Sequence, residues 1–325
     1  MKAYSDLVQH VLDNGTRKEN RTGVDTISTF NYNYELGFGK ENIYNQDPKA
    51  WARNKFRHNY YHLGDGFPLD TTKKISWKNI AVEMLWFLSG DTSIEILKRH
   101  KCRFWDHWCD ENGKVPSAYG NFWTKFPLPH KYVGDGIYHA QHNNQIAYCL
   151  NTLRSSPMSR RMVVTAWAPD NAQTSALPPC HFAFAFNVQL DQDGEQRLCL
   201  HLTQRSCDVA LGIPYNIASY TLLLMLFSHM TGIKPGIFAH TLIDAHIYTG
   251  KPDGSMAEYD HIPGLREQLT REPKELPRLI IDPSIKELSD IEALMAPEVS
   301  TQNILDKLRL ECYDPHPNIK FKVAV

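Results

Sequence analysis

The sequence lacks an excess of charge of either sign. Its 325 residues include 35 lysines and arginines against 36 aspartates and glutamates, which gives a formal net charge of −1. A protein that binds duplex DNA presents a broad basic surface to the phosphates, and this composition does not supply one. We therefore expect no DNA partner, and an anionic ligand would need arginines gathered at one place.

The sequence also lacks a CxxC pair, a long apolar run and an obvious secretory signal. Its seven cysteines are an odd number, which favours free thiols in a reducing compartment over a disulfide framework. The longest apolar run, residues 217–230, carries two serines and a histidine and is shorter than the roughly 20 residues that a membrane span needs. The first residues lack a basic region followed by an apolar one. We expect a cytoplasmic protein with no membrane partner.

The histidines are scattered without metal-ligand spacing, so we expect no metal site. No internal repeat is present, and the length allows one large domain or two small ones. Apolar periodicity predicts helices near 4–13, 77–89, 142–154 and 216–231, and strands near 162–167, 182–188, 198–202 and 238–248. Residues 31–64 and 249–261 show no sustained period, which predicts two surface insertions.

Residues 177–216 concentrate the groups that carry chemistry. A buried strand is predicted to end at residues 177–181, which contain Cys180 and His181. Two alternating strands then lead through a hairpin turn to Arg205, Ser206 and Asp208, and Asn216 follows shortly after. One thiol, one imidazole, one guanidinium, one carboxylate and one carboxamide within forty residues indicate an active site.

Cys180 is either an inert structural thiol or a nucleophile. Arg205 and other arginines nearby would lower the thiol pKa and favour the thiolate, which is the nucleophilic form. Glu83 raises a similar choice, because it lies in an otherwise apolar helix. It is either an exposed helix residue or a desolvated acid with a raised pKa, suited to proton transfer.

Four arginines, at positions 21, 160, 161 and 205, are candidates for a phosphate site, with Ser206 as an additional donor. Arg160 and Arg161 open a strand, where a solubilising edge is the alternative reading. The Asn216 amide both donates and accepts, so it matches a pyrimidine edge that presents a carbonyl and an N–H. The residues alone indicate a cysteine nucleophile, a phosphate site and a base-reading amide, without naming a reaction.

Several long motifs occur in an order that is specific to one family. They are Arg21-Thr22-Gly23, residues 83–88, Pro179-Cys180-His181, residues 204–209, residues 214–220 and His246-Ile247-Tyr248. On these motifs the chain resembles the folate-dependent thymidylate synthase family over nearly its whole length, apart from the two predicted insertions.

The resemblance implies one α/β (α+β) domain over residues 1–325, built on a twisted mixed sheet flanked by helices. It implies a homodimer formed by packing sheets back to back. It further implies a one-carbon transferase that converts dUMP to dTMP, with 5,10-methylenetetrahydrofolate as cosubstrate and no metal.

The same resemblance assigns a role to individual residues. Cys180 would add to C6 of the uracil ring, and Glu83 would manage protons near O4. The remaining roles fall to these positions: Tyr119 and His181 for the polar network around the base; Asn216 for uracil N3 and O4; Arg21, Arg205 and Ser206 for the phosphate, with Arg160 and Arg161 reaching over from the second subunit; His246 and Tyr248 for the ribose; Asp208, Phe104, Trp105, Trp108 and Tyr215 for the folate; and Val325 for closing over it.

Two departures from the family pattern lie near the folate side. Residues 116–118 read Pro-Ser-Ala where the family usually has Gly-Pro before the tyrosine, and Ile243-Asp244 replaces Gly-Asp. These departures leave a second activity as an alternative function: a dUMP hydroxymethylase, in which water instead of hydride captures the methylene group. The Val-Ala-Val tail and Trp105 favour methylation. A non-catalytic nucleotide- or RNA-binding protein would have lost Cys180 or Glu83, and both are present.

Overall fold

The central feature of the fold is a mixed β-sheet. The computed structural model describes residues 1–39, 59–134 and 137–324. The α-helices of the described residues are α1 (Lys2–Asn14), α2 (Trp77–Ser89), α3 (Glu95–Arg99), α4 (Tyr119–Lys125), α5 (Gln145–Ser155), α6 (Asn171–Thr174), α7 (Gly212–Thr231), α8 (Ile262–Leu269), α9 (Leu288–Leu294) and α10 (Thr301–Lys307). The strands are β1 (Thr16–Lys18), β2 (Asp25–Phe38), β3 (Tyr60–Gly64), β4 (Phe126–Gly134), β5 (Ile137–Asn143), β6 (Val163–Thr165), β7 (Ala183–Leu190), β8 (Gln196–Gln204), β9 (Cys207–Asp208), β10 (Lys234–Thr249), β11 (Arg278–Ile281) and β12 (Leu308–Glu311).

The main sheet has the strand order β1-β2-β10-β8-β7-β6, with β3 beside β2 and β9 beside β10. The β10–β8 pair is parallel, whereas β10 pairs with β2, and β8 with β7, in antiparallel fashion. This confirms the predicted mixed sheet. Because β8 and β10 run in parallel side by side, their carboxyl ends reach the same edge of the sheet.

Helix α7 is the buried centre of the single domain. It is apolar around its whole circumference, as expected for a helix enclosed on all sides. It packs against β8 and β10 on one side and α2 on the other. Gly232 ends it in the left-handed region at φ 74°, a conformation that glycine adopts without strain. Over the described ranges, no helix is both long and apolar enough to cross a membrane.

Two predictions about local structure were wrong. Residues 177–181 do not end a strand; they form an irregular segment that precedes β7. The stretch 31–64 is not wholly an insertion either, since residues 31–38 belong to β2 and residues 60–64 form β3. Residues 40–58 of that stretch lie outside the described residues. The loop predicted at 249–261 connects β10 to α8 and contains one 3₁₀ turn, Ala257–Tyr259.

Replacing Gly120 by alanine should destabilise the packing of α4 against α2. A Cβ atom at Gly120 would stand 2.1 Å from the carbonyl oxygen of Phe87, and backbone cannot move aside as a flexible side chain can. We expect Gly120→Ala to lower the free energy of unfolding by about 1–3 kcal/mol in urea titrations. In Gly212→Ala, the matched control, the new Cβ meets nothing closer than 3.5 Å and stability should change little. Equal stability of the two variants would contradict this packing.

Candidate active site

A cavity of about 610 Å³ opens where β8 and β9 end and α7 begins. We call it the main cavity. Among the residues that line it are Arg21, Glu83, Phe104, Trp105, Trp108, Tyr119, Cys180, His181, Arg205, Ser206, Asp208, Asn216, His246 and Tyr248. The structure therefore brings together residues from widely separated segments that the sequence analysis assigned to one site.

Four of the assigned residues are not among those lining the cavity. Arg160 and Arg161 are exposed and lie outside it. Tyr215 also lies outside, but its ring meets the edge of Phe104 at a centroid distance of 5.1 Å. Val325 lies beyond the described residues, while its neighbour Ala324 lines the cavity.

Cys180 is held in place by its backbone. Its N–H donates to the Tyr119 hydroxyl at 2.9 Å, and its carbonyl accepts the N–H of Arg205 at 2.8 Å. The irregular segment before β7 is thus tied to α4 on one side and to the end of β8 on the other. The thiol is presented from a fixed main chain.

Arg205 lies against the same segment. Its guanidinium donates to the carbonyls of Pro179 at 2.9 Å and Pro178 at 2.7 Å, and Nη2 lies 3.8 Å from the Cys180 sulfur. The face of Trp167 covers it at 5.5 Å. The guanidinium is therefore oriented before any ligand arrives.

The expected lowering of the Cys180 pKa was wrong. Burial raises this pKa, and the opposing effects of Arg205, Ser206 and Arg21 do not outweigh it. Desolvation acts on the thiolate in full, whereas Arg205 divides its hydrogen bonds between two carbonyls. The resting site therefore holds the neutral thiol, with a cation beside it that stabilises the thiolate when it forms.

Glu83 is a desolvated acid and not an exposed helix residue, the other alternative that the sequence allowed. Burial raises its pKa from 4.5 to about 7, although Trp105 opposes this by donating its indole N–H to Oε1 at 2.7 Å. A carboxyl group with a pKa near neutrality can both give and take a proton under ordinary conditions. Its place on the cavity wall fits it for that task.

His181 is neutral and fixed. Its ring stacks on Tyr119 at 3.7 Å with an interplanar angle of 14°, and its Nδ1 lies 2.6 Å from the Tyr220 hydroxyl. Burial lowers its pKa to about 3, so it carries no charge at neutral pH. It therefore contributes shape and hydrogen bonding to the site without a positive charge.

Asp208 and Asn216 flank the first turn of α7. Asp208 Oδ1 accepts the N–H groups of Ala210 at 2.9 Å and Leu211 at 3.0 Å, two donors that precede the helix. Asn216 Oδ1 accepts a hydrogen bond from Gln204 Nε2 at 3.0 Å. Both side chains reach the cavity wall in defined orientations.

Gln204, Trp167 and Asp244 also line the cavity, although the sequence patterns predicted no role for them. Although burial opposes it, hydrogen bonds from His246 and Lys18 lower the pKa of Asp244 to about 2. One signal was available for Gln204: it is the polar member of the inward-facing row of β8, where the other members are leucines. Trp167 gave no comparable signal.

The comparison with known families agrees with this geometry. A family model described as thymidylate synthase matches residues 2–325. The chain belongs to the thymidylate synthase family. Membership of the thymidylate synthase family implies a one-carbon transferase of nucleotide biosynthesis, with dUMP and a reduced folate as substrates. Over the described part of the chain, no group of three or more potential ligands among His, Cys, Asp and Glu is placed to hold a metal ion.

Replacing Glu83 by glutamine should remove a pH dependence of stability. A carboxyl group whose pKa rises from 4.5 to about 7 on folding binds more protons in the folded state, so its contribution to the free energy of unfolding falls as the pH rises between those values. The slope is at most about 1.4 kcal/mol per pH unit. We expect the stability of Glu83→Gln, measured in urea relative to the unmodified protein, to rise across this window. Glu275→Gln, at an exposed position, should show no such trend.

Proposed function

We propose that the protein is a thymidylate synthase that reductively methylates dUMP to dTMP with 5,10-methylenetetrahydrofolate. The observation that carries this proposal is the meeting of a nucleophile, an acid with a pKa near 7 and a base-reading amide in one cavity: Cys180, Glu83 and Asn216. Arginines at the same cavity supply the positive charge that the nucleotide phosphate needs.

The nucleotide is held at three places. Arg21, Arg205 and Ser206 bind the phosphate, and His246 with Tyr248 contacts the ribose. Asn216 reads the base: its Nδ2 donates to O4, and Oδ1 accepts the N3 proton on its remaining lone pair. These contacts bring C6 of the uracil ring to the Cys180 sulfur.

The chemical step begins when the Cys180 thiol gives its proton to water in the cavity and the sulfur forms a bond to C6. The π electrons of the C5–C6 bond move toward C5 and O4, so C5 becomes the nucleophilic carbon of an enolate. Arg205 stabilises the thiolate at the start, and Asn216 and Glu83 stabilise or protonate O4 as charge develops there. The sulfur leaves C6 as a thiolate once C5 has gained the methylene carbon and lost its proton to a base, and once hydride has reached that carbon.

The folate side of the cavity has matching chemistry. Phe104, Trp105 and Trp108 supply flat apolar surface for a pterin ring, and the Asp208 carboxylate accepts hydrogen bonds from it. When bound, the folate supplies the methylene group and the hydride. Ala324 lines the cavity, so the carboxyl-terminal tail is placed to exclude water from this region.

The alternative is a dUMP hydroxymethylase, which shares every step up to the capture of the methylene group. The residues that favour it are Pro116-Ser117-Ala118, which depart from the usual family pattern directly before Tyr119. Trp105 and the Val-Ala-Val tail favour methylation. Trp105 is only 6% exposed and fixed to Glu83, so water has little room at that point.

The product made from dUMP and 5,10-methylenetetrahydrofolate should be dTMP, with dihydrofolate formed in equal amount. Mass analysis of the nucleotide tests this, because hydroxymethyl-dUMP with tetrahydrofolate would establish the alternative instead. Cys180→Ala should reduce turnover at least about 1,000-fold while nucleotide binding stays measurable, since the thiol itself takes no part in holding the phosphate. Cys199→Ala, a cysteine outside the cavity, should remain active. Retained turnover in Cys180→Ala would refute the nucleophile.

We further propose that the active form is a homodimer in which Arg160 and Arg161 complete the partner's phosphate site. Both arginines are exposed and away from the cavity of their own chain. Exposed apolar side chains lie close to them in the sequence: Met158 is 51% exposed and Val163 is 53% exposed. Such a surface is suited to burial against a second copy.

Mixing two inactive variants should restore activity if the arginines act across the interface. In a hybrid of Cys180→Ala with the double variant Arg160→Ala/Arg161→Ala, one of the two sites has both an intact thiol and intact arginines. Random exchange should give about a quarter of the unmodified activity, measured by dTMP formation. Cys180→Ala mixed with Arg21→Ala is the matched control. It should stay inactive because Arg21 lines the cavity of its own chain. Activity no greater than the sum of the separate variants would rule out the shared site.

A further inference from the structure

A row of hydrogen-bonded side chains crosses the sheet and ends at the base-reading amide. The Tyr34 hydroxyl lies 2.6 Å from His240 Nδ1, and His240 Nε2 lies 3.1 Å from Gln204 Oε1. Gln204 Nε2 then donates to Asn216 Oδ1 at 3.0 Å. The first three residues come from the neighbouring strands β2, β10 and β8, and the fourth lies on α7. We call these four side chains the relay.

One backbone carbonyl fixes the direction of the whole relay. Gln204 Nε2 also donates to the carbonyl oxygen of Ser206 at 3.1 Å, and a carbonyl can only accept. The atom of Gln204 that faces Ser206 and Asn216 must therefore be its nitrogen. Its oxygen then faces His240, so His240 donates from Nε2 and its Nδ1 accepts the proton of the Tyr34 hydroxyl.

The same constraint orients Asn216. Because Gln204 presents a donor, the oxygen of the Asn216 amide must face it, which leaves Nδ2 as the donor for a ligand in the main cavity. A pyrimidine with a carbonyl at C4 accepts from Nδ2 and donates its N3 proton to Oδ1. A pyrimidine with an amino group at C4 presents a donor to Nδ2 and an acceptor at N3 to Oδ1. Donor then faces donor and acceptor faces acceptor, so neither hydrogen bond forms.

We propose that Tyr34 and His240 are positioning residues that make the site select a 4-oxo over a 4-amino pyrimidine nucleotide, by holding the Asn216 amide in one orientation through Gln204. This inference rests on the proposed function. Neither residue lines the main cavity; both line a second cavity of about 670 Å³. They therefore act on the nucleotide only through other side chains.

Burial makes the relay costly to break. Tyr34, His240 and Gln204 are between 1% and 2% exposed, so a polar atom left without its partner would not regain a bond from bulk water. Burial also lowers the pKa of His240, which keeps the imidazole neutral. A neutral imidazole has one donor and one acceptor, as the relay requires.

Inverting the relay at Gln204 is the sharpest test. Gln204→Glu, measured at a pH high enough to ionise the new carboxyl group, whose pKa burial will raise, replaces the donor that faces Asn216 by a carboxylate oxygen, so the Asn216 amide turns and presents its oxygen where its nitrogen was. The measurement is the ratio of the dissociation constants of dCMP and dUMP, taken without folate so that turnover is not needed. We expect the preference for dUMP to fall at least about tenfold, or to reverse in favour of dCMP.

Conservative variants test the distant members. Tyr34→Phe removes only the hydroxyl, and His240→Leu removes the whole imidazole; each should lower the dUMP preference by about 2- to 10-fold, which corresponds to one lost hydrogen bond. His240→Gln, which keeps a donor able to reach Gln204, should restore part of the preference lost in His240→Leu. Tyr32→Phe is the matched control. Tyr32 is a buried tyrosine two residues away on β2, and its hydroxyl has no part in the relay.

The outcomes separate this inference from the proposed function. An unmodified protein that binds neither nucleotide would overturn both. An unmodified protein that prefers dUMP, with the same ratio in Gln204→Glu, Tyr34→Phe and His240→Leu, would overturn the relay alone. Thermal unfolding of each variant accompanies the binding measurement; if Gln204→Glu does not fold, the ratio in the other two variants decides. A ratio that falls equally in Tyr32→Phe would also count against the relay.

Discussion

Desolvation governs the chemistry of the main cavity. Burial raises the pKa of Glu83 to about 7, raises that of the Cys180 thiol and lowers that of His181 to about 3. All three shifts favour the neutral form. The acid, the thiol and the imidazole therefore add little charge to the cavity, whereas Arg21 and Arg205 bring positive charge to it. A nucleotide monophosphate fits this division, with its anionic group at the arginines and its neutral base beside the acid and the thiol.

The fold produces this arrangement through one helix and two parallel strands. Helix α7 is enclosed by β8, β10 and α2, so its first turn is held rigidly against the carboxyl ends of both strands. Asp208 and Asn216 flank that turn, Arg205 directly follows β8, and His246 lies within β10, paired with Asp208 of β9. Asp208, Asn216 and His246 are thus carried by β9, α7 and β10. Cys180 instead lies on an irregular segment that hydrogen bonds to Tyr119 and Arg205 hold in place before ligands bind.

The sequence predicted the long periodic elements well, and most of the residues that it assigned to one site line the main cavity. Residues 77–89 form a helix with the predicted bounds, and β7 and β8 alternate between buried and more exposed residues as predicted. In each element the spacing of the buried apolar residues is visible in the sequence. It failed at residues 177–181, where apolar character suggested a strand but two prolines remove backbone donors. It failed at 31–38, where asparagines and tyrosines hide a strand whose pairing partner, β10, lies some 200 residues away.

Other features cannot be predicted from a sequence at all. The balance between burial and Arg205 at the thiol depends on how tightly the surroundings pack. The partnership of Tyr34 with His240 and Gln204 exists only once three strands are aligned. One further feature bears on how the protein is handled. The tail runs over the surface of α8, where His261 Nε2 bonds the carbonyl of Lys322 at 2.8 Å and Phe321 contacts Gly264, and from there Ala324 enters the cavity wall. Because Ala324 already lines the main cavity, an affinity tag appended to this tail would lie next to that cavity, so purification handles belong elsewhere on the molecule.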